Sequence, residues 1–145
     1  MGNTEDSGMR IYIASSWRNQ HAVEMLTDRL REQGHEVISF VEAAVEVEGR
    51  DGLRFDVEEW IASEDGRRKF EYDTRAATTS DLVVYIGPSG TDAWAEVGAA
   101  WGAGVPIVGL WAKGEQAGLM RRMISYWCVD YHALLQAVKI YERPK

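Results

Sequence analysis

Two acidic residues, Glu96 and Asp73, stand at positions where a carboxyl could do chemistry. Glu96 lies among Ala93, Val97, Ala99 and Ala100, just after the turn Gly87-Pro88-Ser89-Gly90. Thr91 or Asp92 can cap a helix there, and the free N–H groups and positive dipole end of its opening turns favour an ionised carboxylate. Asp73 falls three residues after Phe70 and four before Ala77, on the stripe of a second helix expected to face inward. Burial raises the pKa of such a carboxyl, so Asp73 is expected to hold a proton while Glu96 stays charged. One carboxylate and one carboxylic acid are what cleavage of a glycosidic bond needs, the first as nucleophile and the second as acid. Each residue also has a plainer reading. Glu96 can be an acid chosen for the helix dipole alone, and Asp73 a partner of nearby backbone or of Arg75.

The elements that must position these acids are legible. Leu82–Ile86 is an apolar, β-rich run of the kind buried on both faces of a parallel sheet, and Ile107–Leu110 is a second such run after Pro106. Between them a helix runs from Thr91 or Asp92 to about Gly102 or Gly104. Met9–Ala14 reads as the first strand, and Ala22, Leu26 and Leu30 are spaced for a helix over Gln20–Gln33. Gly34 ends that helix and Glu36–Phe40 returns as a strand, a unit that implies a right-handed crossover and parallel pairing. Asp65–Thr79 is the helix that carries Asp73. The tail reads as a loop over Gly114–Gly118, a short helix over Leu119–Ser125, a strand-like segment over Tyr126–Val129 and a helix over Tyr131–Tyr141. Ligands of open α/β sheets sit where strands end and helices begin.

The first such turn, Ser15-Ser16-Trp17-Arg18-Asn19, resembles an anion site. It offers two hydroxyls, helix-start N–H groups and a forked guanidinium. Neither a P-loop nor a G-x-G-x-x-G pattern is present, and a serine-capped helix with a solvated Arg18 is the plainer alternative. Trp17 can stack on a base or plug the end of the core. Glu42–Gly66 is rich in acids around a turn at Gly49-Arg50-Asp51-Gly52. It reads as a lid with a short helix near Val57–Ala62.

Composition sets the outer bounds. A chain of 145 residues, 46% apolar and 27% charged, fits one globular domain, here 9–145 behind a disordered leader over 1–8. A net charge of −7 argues against nucleic acid or an anionic membrane as the partner, and leaves room for a small anionic ligand. The single cysteine, Cys128, provides no disulfide framework and fits a reducing compartment such as the cytoplasm. No apolar run approaches spanning length, and the polar start is no signal peptide. His21, His35 and His132 lie near no paired Cys, so neither a metal nor a cofactor is expected.

Taken together, Ile11-Tyr12-Ile13-Ala14, Asp73 with Ser80-Asp81-Leu82-Val83-Val84, and Gly90-Thr91 with Glu96-Val97-Gly98 and Ala100 resemble the nucleoside 2-deoxyribosyltransferase family, including its hydrolase relatives that cleave nucleoside 5′-monophosphates. The resemblance spans about Ile11 to Leu110 and extends more weakly to Tyr131. It implies a flavodoxin-like (Rossmann-like) α/β sandwich of three layers, with a mostly parallel five-stranded sheet, acting on an N-glycosidic bond. It also implies that Glu96 is the nucleophile forming a glycosyl-enzyme, Asp73 the acid that handles the base, and Tyr12 the tyrosine beside the nucleophile. Ser16 and Arg18 match 5′-phosphate positions of the hydrolases, with Ser15, Trp17, Gly87, Ser89, Gly90 and Asp92 the further expected contacts.

In those hydrolases a serine stands six residues before the nucleophile; here that position is Gly90, with Ser89 one step earlier. Family members build their sites at subunit interfaces, which implies a homodimer or larger homo-oligomer in which a neighbour supplies Asp130 or Tyr131. Gly98-x-x-x-Gly102 would let two helices approach closely, or serve packing on the chain's own sheet. The expected activity is hydrolysis of a nucleotide or nucleoside, with base exchange as the alternative. Two rivals remain: a cytokinin-type phosphoribohydrolase, whose double-glycine turn is not matched, and a non-catalytic nucleotide sensor, which would be expected to lose the acid pair.

Overall fold

A computed structural model describes residues 8–41, 57–116 and 118–142. Five short strands form one wholly parallel sheet: β1 (Arg10–Ala14), β2 (Glu36–Ser39), β3 (Leu82–Ile86), β4 (Ile107–Leu110) and β5 (Tyr126–Cys128), in the order β2-β1-β3-β4-β5. The expected sheet is thus borne out, with every pairing parallel. Register aligns Ile11 with Val37 and Leu82, and Val84 with Val108.

Among the described residues the helices are α1 (Gln20–Glu32), α2 (Val57–Ala62), α3 (Glu64–Thr79), α4 (Thr91–Gly102) and α5 (Tyr131–Ile140). Alternation along β1 divides the core in two, because successive side chains of a strand point to opposite faces. Ile11 and Ile13 pack with Val23, Leu26 and Leu30 of α1 and with Leu134 and Val138 of α5. Tyr12 and Ala14 pack on the other face with Ala76 and Ala77 of α3 and Ala93, Val97 and Ala100 of α4. All five residues of β3 are buried, as its apolar run requires of a central strand. Each fully buried Ile, Leu or Val contributes about 1.5–3 kcal/mol, so these two layers dominate stability. Gly109 lets the Trp127 ring lie on β4, within 3.1 Å of where a Cβ would stand.

Several expectations shift. The helix after the glycine turn is capped by neither Thr91 nor Asp92: Gly90, extended, is the N-cap, and Thr91 is the first helical residue. Phe70 does not continue the inward stripe of α3; it is 67% exposed. A helix of 16 residues outreaches strands of four or five, so only its later part, with Asp73, Ala76 and Ala77, lies against the sheet. The 119–125 helix is a 3₁₀ turn over Leu119–Met123. The lid over Glu42–Gly66 falls outside the described residues for 42–56, as does the leader for 1–7. No helix among the described residues is long and apolar enough to cross a membrane.

Candidate active site

The strand order reverses between β1 and β3, the place where open sheets of this order bind ligands. Two turns leave the sheet there side by side, and their own polar groups tie them together. The Ser15 hydroxyl donates to the Ile86 carbonyl at 2.6 Å, and the Asn19 amide donates to Ser15 Oγ at 2.9 Å and to the Pro88 carbonyl at 2.8 Å. Ser15 therefore joins the two turns from within, and Asn19, which the sequence did not single out, joins them from above.

β1 carries Tyr12 onto the face covered by α3 and α4, fully buried. Its phenol donates to Glu96 Oε1 at 2.9 Å. Asp73 reaches the same region from α3, 9% exposed; its Oδ2 is ion-paired with Lys69 one helical turn earlier, and its Oδ1 is buried without a partner. Arg75 is not that partner. Glu96, Asp73 and Tyr12 are thus brought into one electrostatic cluster from three elements.

Burial pushes both carboxyls upward, where the sequence led us to expect this of Asp73 alone. Burial, then the negative charge of Asp73, push the Glu96 carboxyl up to about 8, against the pull of the Tyr12 hydrogen bond and Lys69. The physical reason is its place on α4. Glu96 is the sixth helical residue, beyond the first turn in which free N–H groups and the dipole act. Burial raises Asp73 as well, and Lys69 opposes that rise. Burial and the two carboxylates hold the Tyr12 phenol well above its ordinary value, so it stays a donor.

The anion turn presents a half-buried Ser16 whose Oγ is buried without a partner, followed by the exposed Trp17 and Arg18. Trp17 stands edge-on to Phe40, ring centroids 5.6 Å apart, so it is exposed and anchored at once. Asp92 is exposed in the first turn of α4, and its charge acts on both Asp73 and Glu96.

The remaining turn residues are placed differently. The Ser89 hydroxyl donates to Tyr85 Oη at 2.8 Å, and Tyr85 donates to Glu115 Oε1 at 2.7 Å. Glu115 lies over Gly87, where any side chain would collide with its carboxylate. Ser89 and Gly90 line a cleft of about 530 Å³ beside α4, walled by Trp94, Glu115, Arg121 and Met123; Tyr12, Asp73 and Glu96 do not line it. Asp130 caps α5 by accepting from the Ala133 N–H at 2.8 Å, and Tyr131 stacks on His132 under Arg29. Lys69 was legible only as an i,i+4 partner of Asp73. Tyr85 and Glu115, 30 residues apart, gave no signal.

No family model and no curated protein matches the sequence. Solved structures do match the fold. The chain is similar in fold to a 2-deoxyribosyltransferase. That enzyme, from the psychrotolerant bacterium Bacillus psychrosaccharolyticus, superposes with a TM-score of 0.69 at 22% identity, over 86% of this chain and 89% of its own. A CMP N-glycosidase of Clostridium botulinum matches with a TM-score of 0.58 at 19% identity, over 89% of this chain and 97% of its own. A conserved protein of Enterococcus faecalis V583 gives 0.65 at 16% identity, over 92% and 98%. The 2-deoxyribosyltransferase likeness is one of fold, and covers nearly the whole of each chain.

Proposed function

We propose that this chain is an enzyme of the nucleoside 2-deoxyribosyltransferase kind that cleaves the N-glycosidic bond of a nucleoside 5′-monophosphate or nucleoside. The observation that carries the reading is the Tyr12–Glu96 hydrogen bond beside the unpartnered Oδ1 of the buried Asp73. In the reacting complex the one proton shared by the acids sits on Asp73 and Glu96 is ionised. A Glu96 oxygen bonds to the anomeric carbon as the bond to the base nitrogen breaks. The base keeps that electron pair and takes the Asp73 proton. Water then attacks the anomeric carbon, gives its proton to Asp73 and releases Glu96 and the free sugar.

Burial that makes Glu96 costly to ionise also makes its charge effective once positive charge develops at the sugar. Ser16 and Arg18 are the proposed 5′-phosphate contacts, supported by the buried, unpartnered Ser16 Oγ and the exposed guanidinium next to it but one. They favour hydrolysis of a nucleotide over base exchange. Exchange remains the second reading, favoured by the fold likeness to a 2-deoxyribosyltransferase at a TM-score of 0.69. A homo-oligomer in which a neighbour's Asp130 or Tyr131 completes the site belongs to this proposal too.

Chromatography of ribo- and deoxyribonucleosides and their 5′-monophosphates, incubated with the protein and with Glu96→Ala, tests it. Free base from a monophosphate, lost in the variant, is the expected result. New nucleoside formed only when a second base is added would establish exchange instead. Nucleotide binding without release from any substrate would leave a sensor.

A further inference from the structure

Lys69 has no part in the steps above, yet it is among the least solvated charges of the chain. Its side chain is 12% exposed, ion-paired with Asp73 Oδ2, and its ammonium stands 5.8 Å from the centroid of the Phe40 ring. A lysine drawn this far from water needs a compensating partner, and here that partner is one of the two proposed reacting acids. Its charge acts on Asp73 of α3 and on Glu96 of α4, the same two acids on which Asp92 of α4 acts with the opposite sign, and Glu96 is bonded in turn to Tyr12 of β1. Among the described residues it is the one cation acting on both Asp73 and Glu96.

We infer that Lys69 is a positioning residue for the acid pair, holding Asp73 by Oδ2 so that Oδ1 faces the site, and supplying the positive charge that lets Asp73 and Glu96 share one proton rather than two. Without it, burial pushes both carboxyls further towards their neutral forms, and a doubly protonated pair has no nucleophile. With Lys69 present, one negative charge is stabilised on the pair, and it stands on Glu96 when the leaving base takes the proton of Asp73. The inference rests on the N-glycosidase reading for its purpose, while the charge balance itself can be read without turnover.

The experiment compares the wild type with Lys69→Met, Lys69→Gln and Lys69→Arg. Carboxyl carbon-13 NMR titration of the unliganded proteins is followed by the pH profile of kcat/KM for base release. In Lys69→Met and Lys69→Gln, the carboxyl titrations of Asp73 and Glu96 and the acid limb of the profile are expected to move up by about one pH unit. Lys69→Arg is expected to keep both near the wild-type position. Carboxyl titrations that stay in place in both neutral variants overturn the inference. So does an acid limb that stays in place while the rate falls equally at every pH. Absence of base release by the wild type itself would fail the N-glycosidase reading instead, and the NMR titrations would still decide the role of Lys69.

Discussion

The Tyr12 hydroxyl and the Glu96 carboxyl meet at 2.9 Å, one carried by the first strand and the other by the fourth helix, 84 residues apart. The contact needs both the alternation of β1, which turns Tyr12 towards α4, and the position of Glu96 one turn into that helix. It gives the proposed nucleophile a neutral donor, which favours its charged form against burial and the Asp73 charge.

Tyr12→Phe removes that donor and leaves the ring packing intact. Base release is expected to fall about 10- to 100-fold, the worth of a hydrogen bond to a charged group. The alkaline limb of kcat/KM is expected to shift upward, since the bond lowers the Glu96 pKa. A steady-state pH series on folded variant checks both; an unchanged rate would remove Tyr12 from the mechanism.

With the Glu96 carboxyl pushed up to about 8, the proton shared by the acid pair is lost as pH rises through that value. The kcat/KM of base release is therefore expected to fall above about pH 8, because no proton is then left for the departing base. A profile that stays flat from about pH 7 to about pH 10 would contradict it.

The same shift carries a stability consequence. Between the ordinary value of 4.5 and about 8, the folded state binds the Glu96 proton more tightly than the unfolded chain. Stability is therefore lost as pH rises through that window. Glu96→Gln removes the loss. Its gain is expected to be small at pH 5 and on the order of 2 kcal/mol at pH 9. Thermal melts at the two pH values measure it, and an equal effect at both would count against the buried-carboxyl account.

Much of the frame could be read from residue order alone, because buried parallel strands announce themselves as short apolar runs. Leu82–Ile86 and Ile107–Leu110 have the bounds read from the sequence. Glu96 stood out as an acid among small apolar neighbours, and Asp73 by its place on the stripe with Ala77. The upward push on Glu96 did not, since the electrostatics of the pair depend on two things that sequence spacing leaves open. One is the start of α4, brought forward to Thr91 by the cap at the extended Gly90; the other is Lys69 folding onto Asp73. The Ser89–Tyr85–Glu115 chain was hidden for a similar reason: its members meet only after β4 and the following loop return to the β3 turn.

Arg18→Ala and Ser16→Ala test the phosphate assignment. Each is expected to lower kcat/KM for a 5′-monophosphate about 10- to 100-fold and to leave the free nucleoside nearly unaffected. Parallel assays on a matched nucleotide and nucleoside report the ratio. Equal losses on both substrates would move these residues out of phosphate binding.

His35 is a structural counterpart on the far side of the sheet. Its Nδ1 accepts from the Met9 N–H at 3.0 Å and its Nε2 meets Glu142 at 3.0 Å, joining the entry of β1 to the end of α5. His35→Ala leaves a buried N–H unpaired and is expected to cost about 1–3 kcal/mol in denaturant unfolding. Base release by the folded fraction is expected to be unchanged.

The central claim is that Glu96 bonds covalently to the sugar. The most direct measurement is intact-protein and peptide mass spectrometry near pH 7, with a nucleotide bearing fluorine at C2′, which slows the breakdown of a glycosyl-enzyme. The account predicts a mass increase of one sugar phosphate, confined to the peptide that contains Glu96 and absent from Glu96→Ala. Base release that continues in Glu96→Ala, with no adduct on any peptide, would contradict it.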